Sequence, residues 1–137
     1  MQQSPISLML APFRRTLDFR GRSRRAEYWW FTLLWAVLAV AAAAIDLLWL
    51  EVDLLASFMN GRLLLAAMLI CALPHLAVSV RRLHDQGMGG WWYLVTLLPT
   101  VGTIINIWWM TRRGVVGDNR FGPDPLPEPH NPTIYYG

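Results

Sequence analysis

The sequence predicts an all-α membrane protein with three transmembrane helices, and three observations predict it. The first is a set of long apolar runs. Residues 28–50 hold one charged side chain, Asp46, and residues 63–80 hold only His75 and the neutral thiol of Cys71 as titratable groups, while residues 91–110 hold no charge. At ~1.5 Å per helical residue, such runs approach or exceed a hydrocarbon core ~30 Å thick. Buried helices of a soluble bundle would show a polar face every third or fourth residue, and these runs do not. The second observation is tryptophan placement. Seven of the eight lie at run ends (Trp29, Trp30, Trp49, Trp91, Trp92, Trp108 and Trp109), with Trp35 alone inside a run. An indole favours the headgroup zone, where its ring is apolar and its N–H finds a partner. The third is composition: 55% of the 137 residues are hydrophobic and 15% charged, against roughly 25% charged in an ordinary soluble domain. The length is that of one domain.

Residues 1–27 form a basic N-terminal arm. Within it PISLMLAPF (5–13) is apolar but too short to span, and Pro12 interrupts it. Ile6, Met9, Leu10 and Phe13 recur at helical spacing, which fits a short interfacial helix; a frayed terminus fits equally well. Its modest apolarity, with arginines after it rather than before, argues against a cleavable signal peptide. Arg14, Arg15, Arg20, Arg22, Arg24 and Arg25 follow. Residues 28–110 form the transmembrane domain, with spans at about 28–50, 63–80 and 91–110. The connector 51–62 carries Glu51 and Asp53 and turns at Asn60-Gly61. Residues 111–137 form a polar, Pro-rich tail. Pro123, Pro125, Pro127, Pro129 and Pro132 prevent a helix and leave it extended and disordered. Cys71 is the one cysteine, so no intrachain disulfide forms.

Arginines near span ends stay on the cytoplasmic side. Six of them precede the first span and place the N-terminus inside, the connector with Arg62 and two acids falls outside, and Arg81 and Arg82 return inside. Three full crossings then leave Arg112, Arg113 and Arg120 outside. A third segment doubled back at Pro99-Thr100-Val101-Gly102 would bring them inside. That hairpin would have arms of only ~12 Å and a bend exposing backbone polar groups at membrane depth. A run of 20 residues with tryptophan pairs at both ends favours the single crossing.

Three strings, FRGRSRRAEYWW (19–30), RRLHDQGMGGWW (81–92) and GDNRFGPDP (117–125), stand in order between the apolar runs. Together they resemble family 805 of the domains of unknown function, a group of small bacterial inner-membrane proteins, over about Phe13 to Pro125. Family members usually carry a polar or acidic residue and then Ser-Gly before the tryptophans, where this chain reads Gln86-Gly87-Met88-Gly89-Gly90. The resemblance implies a multi-pass protein of the bacterial inner membrane and assigns no activity.

The chemistry of the motifs is read residue by residue. All twelve basic residues are arginine. Arg22, Arg24, Arg25, Arg81 and Arg82 are candidates for binding anionic lipid headgroups through paired N–H donors, although positive-inside topology alone accounts for most of them. No nucleic-acid partner is expected. His84 beside Asp85 is a formal acid–base pair, yet adjacent side chains diverge on a helix and no Ser or Cys nucleophile stands at motif spacing. The favoured reading is structural: Arg81 or Arg82 pairs with Glu27 or Asp85 at the membrane rim, and His84, Asp85, Gly90, Trp91 and Trp92 form a hinge. Asp118 and Arg120 are a further candidate pair.

Within the spans, Cys71, His75 and Ser79 make one polar stripe, and Thr96, Thr100, Thr103 and Asn106 make another. Polar groups in hydrocarbon seek partners, so the two stripes are expected to face each other as a seam. Asp46, near the outer interface, is expected to reach water. Ala39, Ala42 and Ala43 give small-residue surfaces for intrachain packing or a homo-oligomer. His75, His84, His130 and Cys71 do not form a metal-ligand spacing, so no metal is expected, and neither is a cofactor or a catalytic residue. The reading is a non-enzymatic structural or interaction module whose partners are membrane lipids, a second copy or another membrane protein. Two alternatives stand beside it. One is an oligomeric transporter or channel component using the polar stripes, and the other is a protein that binds or modifies anionic lipid headgroups.

Overall fold

The computed structural model describes residues 4–49 and 61–126. It contains α1 (Pro5–Arg14), α2 (Arg25–Trp49), α3 (Arg62–Asp85), a 3-10 segment (Gly90–Leu97) and α4 (Val101–Thr111). No strand occurs among the described residues; the one bridge joins Asn119 and Gly122. The connector 51–60 and the chain beyond residue 126, with His130 and the last prolines, lie outside the described residues.

The apolar piece of the N-terminal arm is helical. Ser4 accepts from the Ser7 N–H at 3.2 Å, and Pro5 occupies the first turn, where its missing N–H costs nothing. α1 buries Leu8 and Pro12 and sets the Phe13 ring edge-on to Phe31 of α2 at 5.3 Å. Pro12 offers no N–H to Leu8 O, and the helix ends two residues later at Arg14.

α2 and α3 are each long and apolar enough to cross a membrane, and only 17% and 33% of their apolar windows are buried. The core helix of a soluble protein is mostly buried. Side chains such as Val40, Leu48 and Ile70 point outward, and a lipid environment is the one that removes them from water. The packed core is small and sits toward one end of the helix pair. Tyr28 and Phe31 of α2 meet Cys71, Val78 and Leu83 of α3 and Trp109 and Met110 of α4 there.

α3 runs five residues past the expected span end at residue 80, so Arg81, Arg82, His84 and Asp85 are helical. Gly87 stops it. With φ +75° it takes the left-handed conformation that glycine adopts without penalty. The Gly87 N–H then reaches His84 O at 3.0 Å and the Met88 N–H reaches Leu83 O at 3.0 Å. This pair of reversed bonds is a Schellman cap, and Met88 packs on the core beside Leu83.

The third span is not one helix. Residues 90–111 form a hairpin whose arms are the 3-10 segment and α4, joined at Pro99-Thr100. Thr100 sits at φ 61° and ψ −61°, and Val101 N–H closes onto Pro99 O at 2.7 Å, a γ-turn. A Cβ on Gly102 would lie 2.4 Å from Thr96 O, so only glycine lets the arms approach this closely. The tryptophan pairs at the two ends of the run, separate anchors in the expected crossing, come together instead. Trp92 meets Trp109 edge-on at 6.1 Å. Eight 3-10 residues at ~2.0 Å and eleven α residues at ~1.5 Å give matched arms of ~16 Å. Proline at the midpoint removes a helical donor, which is the physical reason the run bends there.

Asp46 also differs from expectation. It is fully buried, and its two carboxylate oxygens accept from the backbone N–H groups of Leu63 at 3.3 Å and Leu64 at 3.0 Å. It thus caps the N-terminus of α3 from a neighbouring helix, satisfying donors that no intrahelical carbonyl can reach.

Candidate functional site

The three arginine-bearing strings converge at one end of the helix pair. Asp85, on the last turn of α3, is the centre. Arg22 reaches its Oδ1 with Nε at 3.0 Å and Nη2 at 2.9 Å, and Arg82 donates to its Oδ2. The side chains of Arg22, Arg82 and Asp85 are respectively 1%, 0% and 6% exposed. Two guanidinium groups against one carboxylate would leave buried charge uncompensated, and backbone carbonyls supply the remaining acceptors. Arg22 donates to Val115 O and Gly117 O. Arg82 donates to Met110 O at 3.4 Å and to Arg112 O, closing the carbonyl end of α4 where a cation is favourable. Asp85 O accepts the Val115 N–H at 2.8 Å. The chain passes so close that a Cβ on Gly114 would lie 2.0 Å from Asp85 Oδ2.

A second buried pair stands beside the first. Arg81 Nη2 lies 3.4 Å from Glu27 Oε1, and Arg81 O accepts the Ser23 N–H at 3.1 Å. Arg81 Nε and Nη1 and Ser23 Oγ are buried with no hydrogen-bond partner among the described residues. The arm leading into this region is set by Arg15 and Asp18, paired at 2.7 Å. The hydrogen bond from Arg15 holds the exposed Asp18 carboxyl below its ordinary value.

The GDNRFGPDP string closes over the end of α3. The Phe121 ring stacks on His84 with centroids 4.0 Å apart and planes 1° from parallel. Asn119 donates to His84 O at 2.9 Å, and Arg120 donates to Gly87 O at 3.0 Å. His84 Nδ1 lies 3.2 Å from Gly21 O, a geometry in which that nitrogen carries the proton, since a carbonyl can only accept. The His84 ring therefore joins the first string to the third. Asp118 takes the Asp124 N–H at 3.1 Å, and Arg120 lies over the Phe121 ring at 4.7 Å, so the expected Asp118–Arg120 pair does not form. Residues 112–126 fold back on α3 rather than trailing away as a tail.

The lipid-binding candidates separate into two groups. Arg22, Arg81 and Arg82 are buried and engaged with Asp85, Glu27 and carbonyls. Arg24 and Arg25 line an open cleft of about 300 Å³ with Arg113, Val115, Val116 and Leu126. Of the hinge residues, His84 and Asp85 belong to the cluster. Gly90 packs where a Cβ would come within 2.8 Å of Val80, and Trp91 is exposed. The Gln86 side chain, not singled out from sequence, donates to Trp109 O and ties the far end of the hairpin to α3.

The two polar stripes do not bond to each other. Ser79 Oγ donates to His75 O at 2.6 Å, Thr96 Oγ1 to Tyr93 O at 2.6 Å and Thr100 Oγ1 to Pro99 O at 2.6 Å, each within its own segment. Asn106 reaches across to Tyr28 Oη of α2 at 3.3 Å. His75 sits among the rings of Tyr28, Phe31 and Trp35 at 5.6, 6.1 and 6.0 Å. With buried Cys71 it lines an apolar cleft of about 450 Å³. Thr103 makes no side-chain hydrogen bond among the described residues. Helical spacing places a residue on a face; hydroxyls close to their own backbone satisfy themselves locally, which is why no hydrogen bond joins the two stripes. Among the described residues no group of three or more His, Cys, Asp or Glu could hold a metal ion.

A family model described as "Protein of unknown function (DUF805)" matches residues 16–123, from the arm into the third string. The chain is 36% identical over 122 residues to Inner membrane protein YhaH of Escherichia coli K12, covering 88% of this chain and 97% of that one. It is 35% identical over 116 residues to Inner membrane protein YhaI of the same organism, covering 85% and 92%. No solved structure matches it significantly.

Proposed function

The chain belongs to the DUF805 family of membrane proteins, and on that footing we propose that it is a non-enzymatic structural or interaction module of the inner membrane that crosses it twice. α2 carries the chain out, α3 returns it, and residues 90–111 dip in and come back on the cytoplasmic side. This leaves Arg62 alone outside and the other eleven arginines inside, the asymmetry favoured by the positive-inside rule. Arms of ~16 Å reach about the middle of a ~30 Å core. α1 then lies along the surface with the exposed side chains of Ile6 and Leu10 among the headgroups.

The observation behind this reading is the convergence of Arg22, Arg82 and Asp85. Their hydrogen-bonding groups turn to one another and to carbonyls of this chain. Such a cluster holds segments together rather than presenting chemistry to a substrate. The transporter reading has less behind it, because the two polar stripes close on their own segments and on Tyr28. Native mass spectrometry of the full chain in mild detergent tests the proposal. A complex of fixed stoichiometry, with a second copy or another membrane protein, is expected. A monomer alone at every protein concentration would overturn the module reading.

A further inference from the structure

We propose that the open cleft beside the buried cluster binds a phosphate-bearing anionic group through Arg24 and Arg25. The cleft has a volume of about 300 Å³, the lower end of the range for small-ligand sites. Its charges are lopsided. Arg22, Arg24, Arg25 and Arg113 line it against Asp85 and Asp124, and both carboxylates have partners in this chain. Asp85 accepts from Arg22 and Arg82, and Asp124 accepts the N–H groups of Gly117 at 2.8 Å and Leu126 at 3.0 Å. The Arg24 side chain makes no hydrogen bond or ion pair among the described residues. Arg25 makes a single long one, to Thr111 O at 3.5 Å. Two guanidinium groups on adjacent residues, neither paired with a carboxylate, are unlike the three buried arginines nearby.

Two further features narrow the ligand. α2 begins at Arg25, so the positive end of a 25-residue helix adds to the field at the cleft. Planar guanidinium forks bind phosphate oxygens in pairs. The opposite wall is apolar: Val115, Val116 and Leu126 are each two-fifths or more exposed. Guanidinium donors beside an exposed apolar wall match a phosphate joined to an apolar body, as in an anionic lipid at the headgroup level. A soluble phosphate would use the same donors without the wall. The lipid source rests on the one-sided topology proposed above, whereas binding in detergent does not depend on sidedness, so the two can fail separately.

The test uses the full chain in uncharged detergent, with lipid binding followed by native mass spectrometry on adding phosphatidylglycerol, and phosphatidylcholine as the zwitterionic comparison. Arg24→Gln with Arg25→Gln should weaken phosphatidylglycerol binding by roughly tenfold or more. Arg14→Gln with Arg20→Gln removes the same charge from exposed positions outside the cleft and should stay within about twofold. Inorganic phosphate is the second probe: displacement of lipid by millimolar phosphate assigns the site to the phosphate alone, and no displacement assigns it to the lipid. Equal loss in both double variants, or no loss in the first, overturns the proposal. If Arg24→Gln with Arg25→Gln does not fold, Arg24→Lys with Arg25→Lys carries the test. That pair keeps the charge and loses the fork, so weaker binding is expected and unchanged affinity overturns the site.

Discussion

Arg22 and Asp85, 63 positions apart in the chain, meet through Nε at 3.0 Å with both side chains buried. The contact ties the arm before α2 to the end of α3, and Arg82 ties the same carboxylate to the chain after the hairpin. Removing the carboxylate charge leaves two buried cations with carbonyl partners only. Asp85→Asn should therefore destabilise the fold by about 3–5 kcal/mol, the cost of breaking a buried pair from one side. Thermal unfolding in detergent measures this, and an unchanged midpoint would show that the cluster contributes nothing.

Gly114 and Gly117 provide a contrast. A Cβ at Gly114 would overlap Asp85 Oδ2, whereas one at Gly117 meets nothing within 4 Å but sits at φ +80°. Gly114→Ala should cost roughly 1–3 kcal/mol through displacement of the carboxylate, and Gly117→Ala about 1 kcal/mol through backbone strain alone. Thermal midpoints should thus fall further for Gly114→Ala; the opposite order would mean that the close approach to Asp85 is not as described.

Asp46 caps α3 from α2, so Asp46→Ala should cost about 1–2 kcal/mol. Asp46→Asn keeps one acceptor oxygen and should recover part of the loss. Denaturant or thermal titration of the two variants separates a cap from mere burial, and equal losses would count against capping.

Thr100 stands at φ 61° in the hairpin turn, a conformation that glycine adopts without a Cβ penalty. Thr100→Gly should raise stability by about 0.5–1 kcal/mol, as relief of left-handed strain does. Gly102→Leu, with Thr96 O in the way, should lower it. A straight third helix would respond in the reverse sense at residue 100, because glycine weakens a helix interior.

The two long apolar helices were legible because runs of hydrocarbon length without charge stand out in the sequence. Arg22, Arg82 and Asp85 were legible as charged residues near span ends, but the link from Arg22 to Asp85 was not. It depends on how the chain between them, 63 positions from one to the other, places two side chains, and periodicity carries no such information. The hairpin was visible as an alternative through Pro99 and Gly102 and through arginine counting. Run length and tryptophan anchors favoured the single crossing because they count residues without registering that Trp92 and Trp109 can meet. GDNRFGPDP stood out as a string with no readable chemistry. In the structure Asn119, Arg120 and Phe121 cover the carbonyl end of α3 and the His84 ring, contacts that exist only once the chain has folded back.

Sidedness of residue 126 tests the re-entrant hairpin most directly. In a Cys71→Ala background, Asp53→Cys reports the connector and Leu126→Cys the chain after the hairpin, each probed with a membrane-impermeant maleimide. Asp53→Cys should label in intact spheroplasts and Leu126→Cys only after the inner membrane is permeabilised. Labelling of Leu126→Cys in intact spheroplasts as strongly as Asp53→Cys would contradict the hairpin and establish a third crossing.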